Sequence, residues 1–73
     1  MNLAERLREL RRSHGWTLRE VARRVKAQSG EPMSYSYLSA LERGVADSPS
    51  LRVIERIGLA YGLTVCEVLQ CQE

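Results

Sequence analysis

Apolar residues recur at every third or fourth position along this 73-residue chain, in short segments that end at glycine or are interrupted by proline. That spacing places the apolar side chains on one face of an α-helix. Glycine readily adopts the left-handed conformation that commonly follows the last turn of a helix. Because the segments are short and a chain of this length holds a single small core, the pattern predicts one all-α domain over residues 1–73.

The composition agrees with this prediction and excludes several larger classes of protein. The helix-favouring residues Leu, Ala, Arg and Glu are abundant, and Phe is absent. The chain is too short for a dinucleotide-binding fold or an α/β barrel, and its apolar runs are too short to span a bilayer. Its first residues lack the basic and then apolar pattern of a signal peptide. We therefore expect a cytoplasmic protein with no membrane partner.

Five segments combine the helical spacing with signals for helix ends. The predicted helices cover about residues 2–13, 17–26, 34–43 and 51–61, and a fifth begins at residue 64. Three of them open with a capping residue and a glutamate three positions later, at Asn2–Glu5, Thr17–Glu20 and Thr64–Glu67. Three glycines are predicted to stand at helix ends: Gly15, Gly44 and Gly62.

Residues 27–33 are predicted to form a loop, because Gly30 and Pro32 interrupt regular structure. Met33, the large apolar residue of that stretch, is expected to enter the core, and Trp16 to plug the core beside the second helix. The remaining predicted core residues lie on the apolar helix faces: Leu3, Leu7, Leu10, Val21, Ala22, Val25, Leu38, Leu41, Leu51, Ile54, Ile57, Val65, Val68 and Leu69.

The third predicted helix has an unusual outward face. With Leu38 and Leu41 directed inward, the outward residues are Tyr35, Ser36, Ser39, Ala40 and Arg43. A solvated helix normally carries Glu and Lys there, so this short-chained and mostly uncharged face indicates a contact surface. Residues 1–44 hold nine Lys or Arg against five Glu, whereas residues 45–73 hold two Arg against four acidic residues. This asymmetry favours an anionic partner for one side of the domain.

Four stretches in order resemble the Cro/C1-type (XRE) helix-turn-helix family of phage-repressor-like transcription regulators, over about residues 3–70. They are residues 7–11 (LRELR), 15–22 (GWTLREVA), 37–44 (YLSALERG) and 49–51 (PSL). The resemblance implies a lambda-repressor-like five-helix domain in which helices two and three form the helix-turn-helix. It implies double-stranded DNA as the partner, with the third helix in the major groove.

The resemblance also assigns residues to roles. The base-facing positions are Tyr35, Ser36, Ser39 and Ala40, and the phosphate-contacting candidates are Thr17, Leu18, Arg19, Arg12, Lys26 and Arg43. For each arginine, an intrahelical ion pair or full solvation is an equally good interpretation. An ion pair between Arg11 and Glu42 is expected to connect helix one to the recognition helix.

This chain departs from the family pattern at three places. The segment from Lys26 to Ser34 is about six residues longer than in the usual form of the family, which has a tight turn. Leu18 stands where a phosphate-binding glutamine is common. Residues 45–48 (VADS) supply no positive charge and include Asp47, although the family is often basic there.

Two functions fit these observations. The first is a sequence-specific regulator, a repressor by family tendency, that binds a two-fold symmetric operator as a homodimer. Its dimer surface is expected near helix five, although the same residues can instead close the bundle: Tyr61, Leu63, Val65, Val68 and Leu69. The alternative is a protein-interaction or antitoxin-like module of the same fold with weak DNA binding, which the uncharged helix-three face, Leu18 and Asp47 favour.

The sequence contains no motif for catalysis, a cofactor or a metal. No glycine-rich phosphate loop, nucleophile elbow or metalloprotease motif occurs. Cys66 and Cys71 do not form a zinc-binding spacing with the single His14. We predict that the domain is not an enzyme, and that the cysteines are structural or incidental, a redox or intermolecular disulfide role being the alternative.

Overall fold

The computed structural model describes residues 2–46 and 49–69, and within these ranges the chain forms five α-helices and no strand. The helices are α1 (Leu3–His14), α2 (Leu18–Ser29), α3 (Tyr35–Arg43), α4 (Leu51–Tyr61) and α5 (Val65–Leu69). The all-α prediction is therefore confirmed. Within the same part of the chain, no helix is both long enough and apolar enough to cross a membrane.

The predicted glycine ends of three helices and one complete capping pair agree with the structure, and Asn2 caps α1 through the Glu5 amide at 2.9 Å. Gly15, Gly44 and Gly62 follow the last residues of α1, α3 and α4, each with a positive φ. The Thr64 amide donates to Glu67 Oε1 (2.9 Å) and the Glu67 amide donates to Thr64 Oγ1 (3.1 Å), which completes the predicted box.

The capping pair at the start of α2 is formed on one side. The Glu20 amide donates to Thr17 Oγ1 at 3.1 Å, as expected for a cap. The Glu20 carboxylate does not return to Thr17 and instead pairs with two arginines of its own helix, Arg23 and Arg24. Guanidinium groups three and four residues further along a helix are within reach of a carboxylate and hold its charge more strongly than a neutral amide does.

Helix α2 is longer than predicted, so the predicted loop over residues 27–33 is wrong at its start. The helix continues to Ser29, and Gly30 ends it with φ 81° and an amide that donates to the Lys26 carbonyl at 2.9 Å. The Ser29 hydroxyl donates to the Val25 carbonyl at 2.7 Å, a bond that extends the helix by satisfying one of its last acceptors. The connection to α3 is therefore the five residues 30–34, so the predicted excess of about six residues is wrong: the additional residues belong mostly to α2.

The core is formed by apolar side chains of all five helices and of the α2–α3 connection. Met33 is buried as predicted. The other buried apolar residues are Leu7, Leu10, Val21, Val25, Leu38, Leu41, Ile54, Ile57, Ala60, Tyr61 and Val68, with Leu3, Ala22 and Val65 partly buried against them.

Two predicted core residues are exposed. Leu51 is 67% exposed and Leu69 is 38% exposed. Successive helix residues are rotated by about 100° around the helix axis. The buried face of α4 is centred on Ile54, Ile57 and Tyr61, and Leu51 lies outside this face. In the same way, Val68 faces the core from α5 and turns its neighbour Leu69 away.

Trp16 borders the core and does not plug it. Its ring is half-buried and stacks on Tyr61, with 5.2 Å between ring centroids and 17° between planes. The guanidinium of Arg24, a residue of α2, lies 4.0 Å from the centroid of the Trp16 ring, a close cation–π contact. Burial of the Tyr61 side chain, and to a smaller extent the nearby carboxylate of Glu42, raise the pKa of Tyr61 above its ordinary range.

The helices pack so that α1 and α4 support the pair α2 and α3. Helix α2 contacts α3 and α4, and α1 contacts α3 and α5. Arg6 of α1 binds the last turn of α5, where its Nε donates to the Val68 carbonyl and its Nη2 to the Glu67 carbonyl, both at 3.1 Å. A cation at these carbonyls satisfies acceptors that the end of the helix leaves unpaired.

The close approach of α4 and α5 gives a stability prediction at Gly58. A methyl group there would lie 2.6 Å from the Leu63 carbonyl oxygen and 3.2 Å from Val68 Cγ2. We expect Gly58→Ala to lower the free energy of unfolding by roughly 1–3 kcal/mol through overpacking. In a helix with free space at this position, alanine is more stable than glycine by about 1 kcal/mol. Urea denaturation measures the change, and a variant more stable than wild type would contradict the close contact at Gly58.

Candidate nucleic-acid interface

The first turn of α3 is fixed by its capping serine. Ser34 Oγ accepts hydrogen bonds from the amides of Ser36 (3.1 Å) and Tyr37 (3.4 Å). Ser36 is exposed and the Tyr35 side chain is 48% exposed, whereas Tyr37 packs against the core. The cap therefore leaves the side chains of the first two residues of α3 open to a partner.

The outer face of α3 consists of small side chains followed by a cation. Ser36, Ser39, Ala40 and Arg43 share one face by their spacing of three and four. Ser36 and Arg43 are exposed, and Ser39 and Ala40 are half-buried. Arg43 Nε donates to the Ser39 carbonyl at 3.4 Å, so its guanidinium stays close to the end of this face. A flat and uncharged helix face of this kind can approach another surface closely.

The start of α2 lies beside the start of α3. The Arg19 guanidinium is 5.6 Å from the centroid of the Tyr35 ring, a contact that joins the two helices at their N-terminal ends. Leu18 is half-buried and packs against the core, so its side chain does not face outward with Arg19. The first amides of a helix lack intrahelical acceptors and form the positive end of the helix dipole. The backbone at Leu18 and Arg19 can therefore bind an anion, with the exposed Thr17 beside it.

The remaining predicted phosphate-binding residues are not all brought together. Lys26 is exposed on α2, two turns after Arg19 on the same outer side. Arg12 is exposed on α1, in a shallow surface depression that it lines with Glu5, Arg8, Glu9 and Ser13. An anion at Arg12 would therefore be repelled by the two carboxylates of the same depression. Arg12 is for this reason the least favourable of the six phosphate-contacting candidates.

Arg11 and Glu42 join α1 to α3. Arg11 Nε lies 3.0 Å from Oε1 and 2.9 Å from Oε2 of Glu42, and Arg11 Nη1 donates to the Trp16 carbonyl at 3.2 Å. Glu42 is only 6% exposed. A carboxylate this deep depends on its cation, and the pair connects α1, the start of the α1–α2 connection and the recognition-helix candidate.

Several interactions near this surface were missed by the sequence analysis. The Arg23 hydrogen bond, helped by Arg24, holds the pKa of the Glu20 carboxyl below its ordinary value. The spacing of three and four from Glu20 was a signal for both pairs. The contacts of Arg56 on α4 with the α2–α3 connection involve residues more than twenty positions apart, and no local pattern indicates them.

The cysteines and the acidic groups offer no metal site in the part of the chain that the structure describes. No cluster of three or more His, Cys, Asp or Glu side chains occurs in residues 2–46 and 49–69. Cys66 is exposed on α5, whereas Cys71 and Asp47 lie outside the described residues.

Two consecutive helices joined by a short connection, the second with an open outer face, define a helix-turn-helix domain. The chain belongs to this family: the sequence model of the helix-turn-helix domain family matches residues 2–70. It is also 40% identical over 70 residues to the HTH-type transcriptional regulator DdrOP3 of Deinococcus deserti. The match covers 96% of this chain and 49% of that relative, so the chain spans about half the relative's length.

These matches confirm the resemblance from which the helix-turn-helix prediction came. They also confirm the prediction that this domain is not an enzyme, since the family is one of DNA-binding domains.

Proposed function

We propose that this chain is the DNA-binding domain of a transcription regulator and that α3 enters the major groove of duplex DNA. The observation that carries the proposal is the open, uncharged face of α3 next to the start of α2, with Arg19 against Tyr35. The similarity to a protein named as an HTH-type transcriptional regulator supports it. A helix face without carboxylates can approach the base edges without electrostatic repulsion.

The base contacts come from the exposed face of α3. Ser36 can donate to or accept from several bases, and the Ala40 methyl group can pack on the methyl group of thymine. Tyr35 and Ser39 flank these two positions. None of the four side chains forms a bidentate contact of the kind that Arg, Asn or Gln makes, so DNA shape and deformability contribute a large part of the sequence preference.

Phosphate contacts position α3 in the groove. The amides of Leu18 and Arg19, with the Thr17 hydroxyl, bind one phosphate at the start of α2. The cationic side chains of Arg19, Lys26 and Arg43 bind neighbouring phosphates, with Arg12 at the margin. The ion pair of Arg11 and Glu42 keeps α1 and α3 in fixed relation, so that these contacts and the base contacts act together.

In this proposal the protein acts in the cytoplasm as a homodimeric repressor on a two-fold symmetric operator. One copy of a small domain with few strong base contacts gains affinity and specificity by pairing on half-sites about one helical turn apart. Helix α5 and the end of α4 supply the dimer surface, where Leu59 and Leu69 are exposed and Val65 is half-buried.

Selection from a random duplex DNA pool at near-physiological salt tests this function. We expect enrichment of an inverted repeat, whose spacing gives the distance between the two recognition helices. If folded protein enriches no motif and its DNA affinity does not depend on salt, the protein-interaction alternative gains and the search turns to protein partners.

Salt dependence of the selected complex tests the phosphate contacts one at a time. Each neutralised phosphate contributes about −0.9 to the slope of log affinity against log salt. We expect Arg19→Gln to reduce the magnitude of that slope by about one per protomer without changing the selected sequence. Arg23→Gln removes the same charge one turn later from an arginine paired with Glu20, and we expect it to leave the slope unchanged. A wild-type slope in Arg19→Gln would remove Arg19 from the interface.

A further inference from the structure

The α2–α3 connection is bound to a third helix. Arg56 of α4 donates through Nη2 to the carbonyl oxygens of Glu31 (2.7 Å) and Pro32 (3.1 Å). Its Nε donates to Ser29 Oγ at 3.3 Å. One half-buried guanidinium therefore contacts the last residue of α2 and two consecutive residues of the connection.

The residues around these contacts are also held. The Ser29 hydroxyl donates to the Val25 carbonyl, which leaves its oxygen to accept from Arg56. Met33, directly after the two bonded carbonyls, is buried, and Ser34 then caps α3. Between these anchors, the peptide groups of residues 31 and 32 are exposed at the surface. Ser29 Oγ lies 3.3 Å from the Glu31 carbonyl oxygen and 3.5 Å from the Glu31 amide, and Arg56 supplies the side-chain bonds that come from another helix.

We propose that Arg56 is a positioning residue for DNA recognition, which holds the first turn of α3 in the orientation that the base contacts require. This inference rests on the proposed function. A tight helix-turn-helix turn of three or four residues fixes the angle between its helices by itself, whereas this connection has five residues and includes Gly30. Helix α4 packs against α2, so Arg56 fixes the connection relative to the same helix from which α3 must be oriented.

The chemistry of the side chain suits this role. A guanidinium group presents several donors in a rigid plane, so it can bind two carbonyl oxygens and a hydroxyl at the same time. The neighbouring pair of Arg52 and Glu31, at 3.4 Å, joins two exposed side chains. Exposed pairs contribute little, so of these two arginines of α4 it is Arg56 that holds the path of the connection.

The test compares two arginines that bind backbone carbonyls at different places. Arg56→Met keeps the apolar stem and removes the donors to the α2–α3 connection, whereas Arg6→Met removes equivalent donors from the end of α5. We measure the affinity of each folded variant for a duplex with a single selected half-site, which one protomer binds without the dimer surface at α5, and for an unrelated duplex of the same length. We expect Arg56→Met to lower the specific affinity about tenfold, the scale of one good base contact, with little change for unrelated DNA. Arg6→Met is expected to keep the wild-type ratio of the two affinities.

Two outcomes would overturn the proposal. If Arg56→Met keeps the wild-type ratio of specific to unrelated affinity, the orientation of α3 does not depend on the hydrogen bonds from Arg56. If it weakens binding to both DNAs equally and reduces the salt slope by about one, Arg56 contacts a phosphate directly.

Hydrogen exchange of the DNA-free protein separates this inference from the proposed function. We expect Arg56→Met to accelerate exchange of the Ser36, Tyr37 and Leu38 amides in the first turn of α3, while Arg6→Met does not. This result can be obtained even if the wild-type domain selects no DNA sequence. In that case the proposed function is wrong, but the conclusion that Arg56 holds the first turn of α3 is still valid. Unchanged exchange at these three amides would show that Arg56 does not hold α3.

Discussion

Replacing Ala40 with glutamate is expected to abolish specific DNA binding while leaving the helical circular dichroism intact. Ala40 lies on the outer face of α3 with Ser36 and is absent from the buried core. A longer side chain there extends away from the fold and toward the proposed DNA. Its carboxylate would face phosphates, and like charges placed together at an interface cost several kcal/mol, so we expect a loss of at least about a hundredfold in affinity.

The control is Ala40→Gln, which has nearly the same size and shape as the glutamate variant without its charge. We expect this variant to keep salt-dependent DNA binding and to alter the preferred base near Ala40, because an amide can hydrogen-bond base edges. Fluorescence anisotropy with the selected duplex measures both variants. Wild-type affinity in Ala40→Glu would show that another surface binds DNA. Equal losses in both variants would mean that side-chain size, and not charge, is decisive.

Replacing Arg11 with methionine is expected to lower the free energy of unfolding by about 3–5 kcal/mol, the usual cost of removing one partner from a buried ion pair. The Glu42 carboxylate would lose both of its contacts with Arg11 Nε while remaining 6% exposed. Domains are typically stable by only about 5–15 kcal/mol, so much of this domain's stability depends on one cation. Urea denaturation at neutral pH measures the change.

The double variant Arg11→Met/Glu42→Leu separates the stability of the pair from its orienting role. Removing both charges eliminates the unpaired carboxylate, so we expect the double variant to be more stable than Arg11→Met alone. We also expect it to bind the selected DNA more weakly than wild type although it is folded, because α1 and α3 lose their polar connection. A single variant that loses less than 1 kcal/mol, as exposed pairs do, would contradict the burial of Glu42.

The parts of α3 that follow from local chemistry could be predicted from the sequence. Ser34 and Gly44 mark its ends, and Leu38 and Leu41 set its inward face, so its outward face followed from helical geometry. These signals act within a few residues of one another. Their agreement explains why the outward face of α3 could be predicted from the sequence, whereas its role as a recognition helix came from the family resemblance.

Other features depend on contacts that are distant in sequence. The end of α2 was placed too early because Gly30 and Pro32 indicated a loop over residues 27–33, while the guanidinium that binds Ser29 comes from Arg56. Leu51 was assigned to the core because its spacing from Ile54 fits a helical stripe, but the direction of that stripe is set by packing of α4 on α2. Spacing indicates which residues share a face, and tertiary packing decides where the face is centred.

Helix α3 separates the side chains that hold it in place from those that it presents. Leu38, Leu41 and Glu42 are buried, whereas Ser36 and Ala40 lie outside the core cluster. Substitutions at the presented positions therefore change what the helix recognises at little cost in folding free energy. For a regulator of this kind, target preference can diverge between descendants of one ancestral domain while the scaffold that carries it is inherited unchanged.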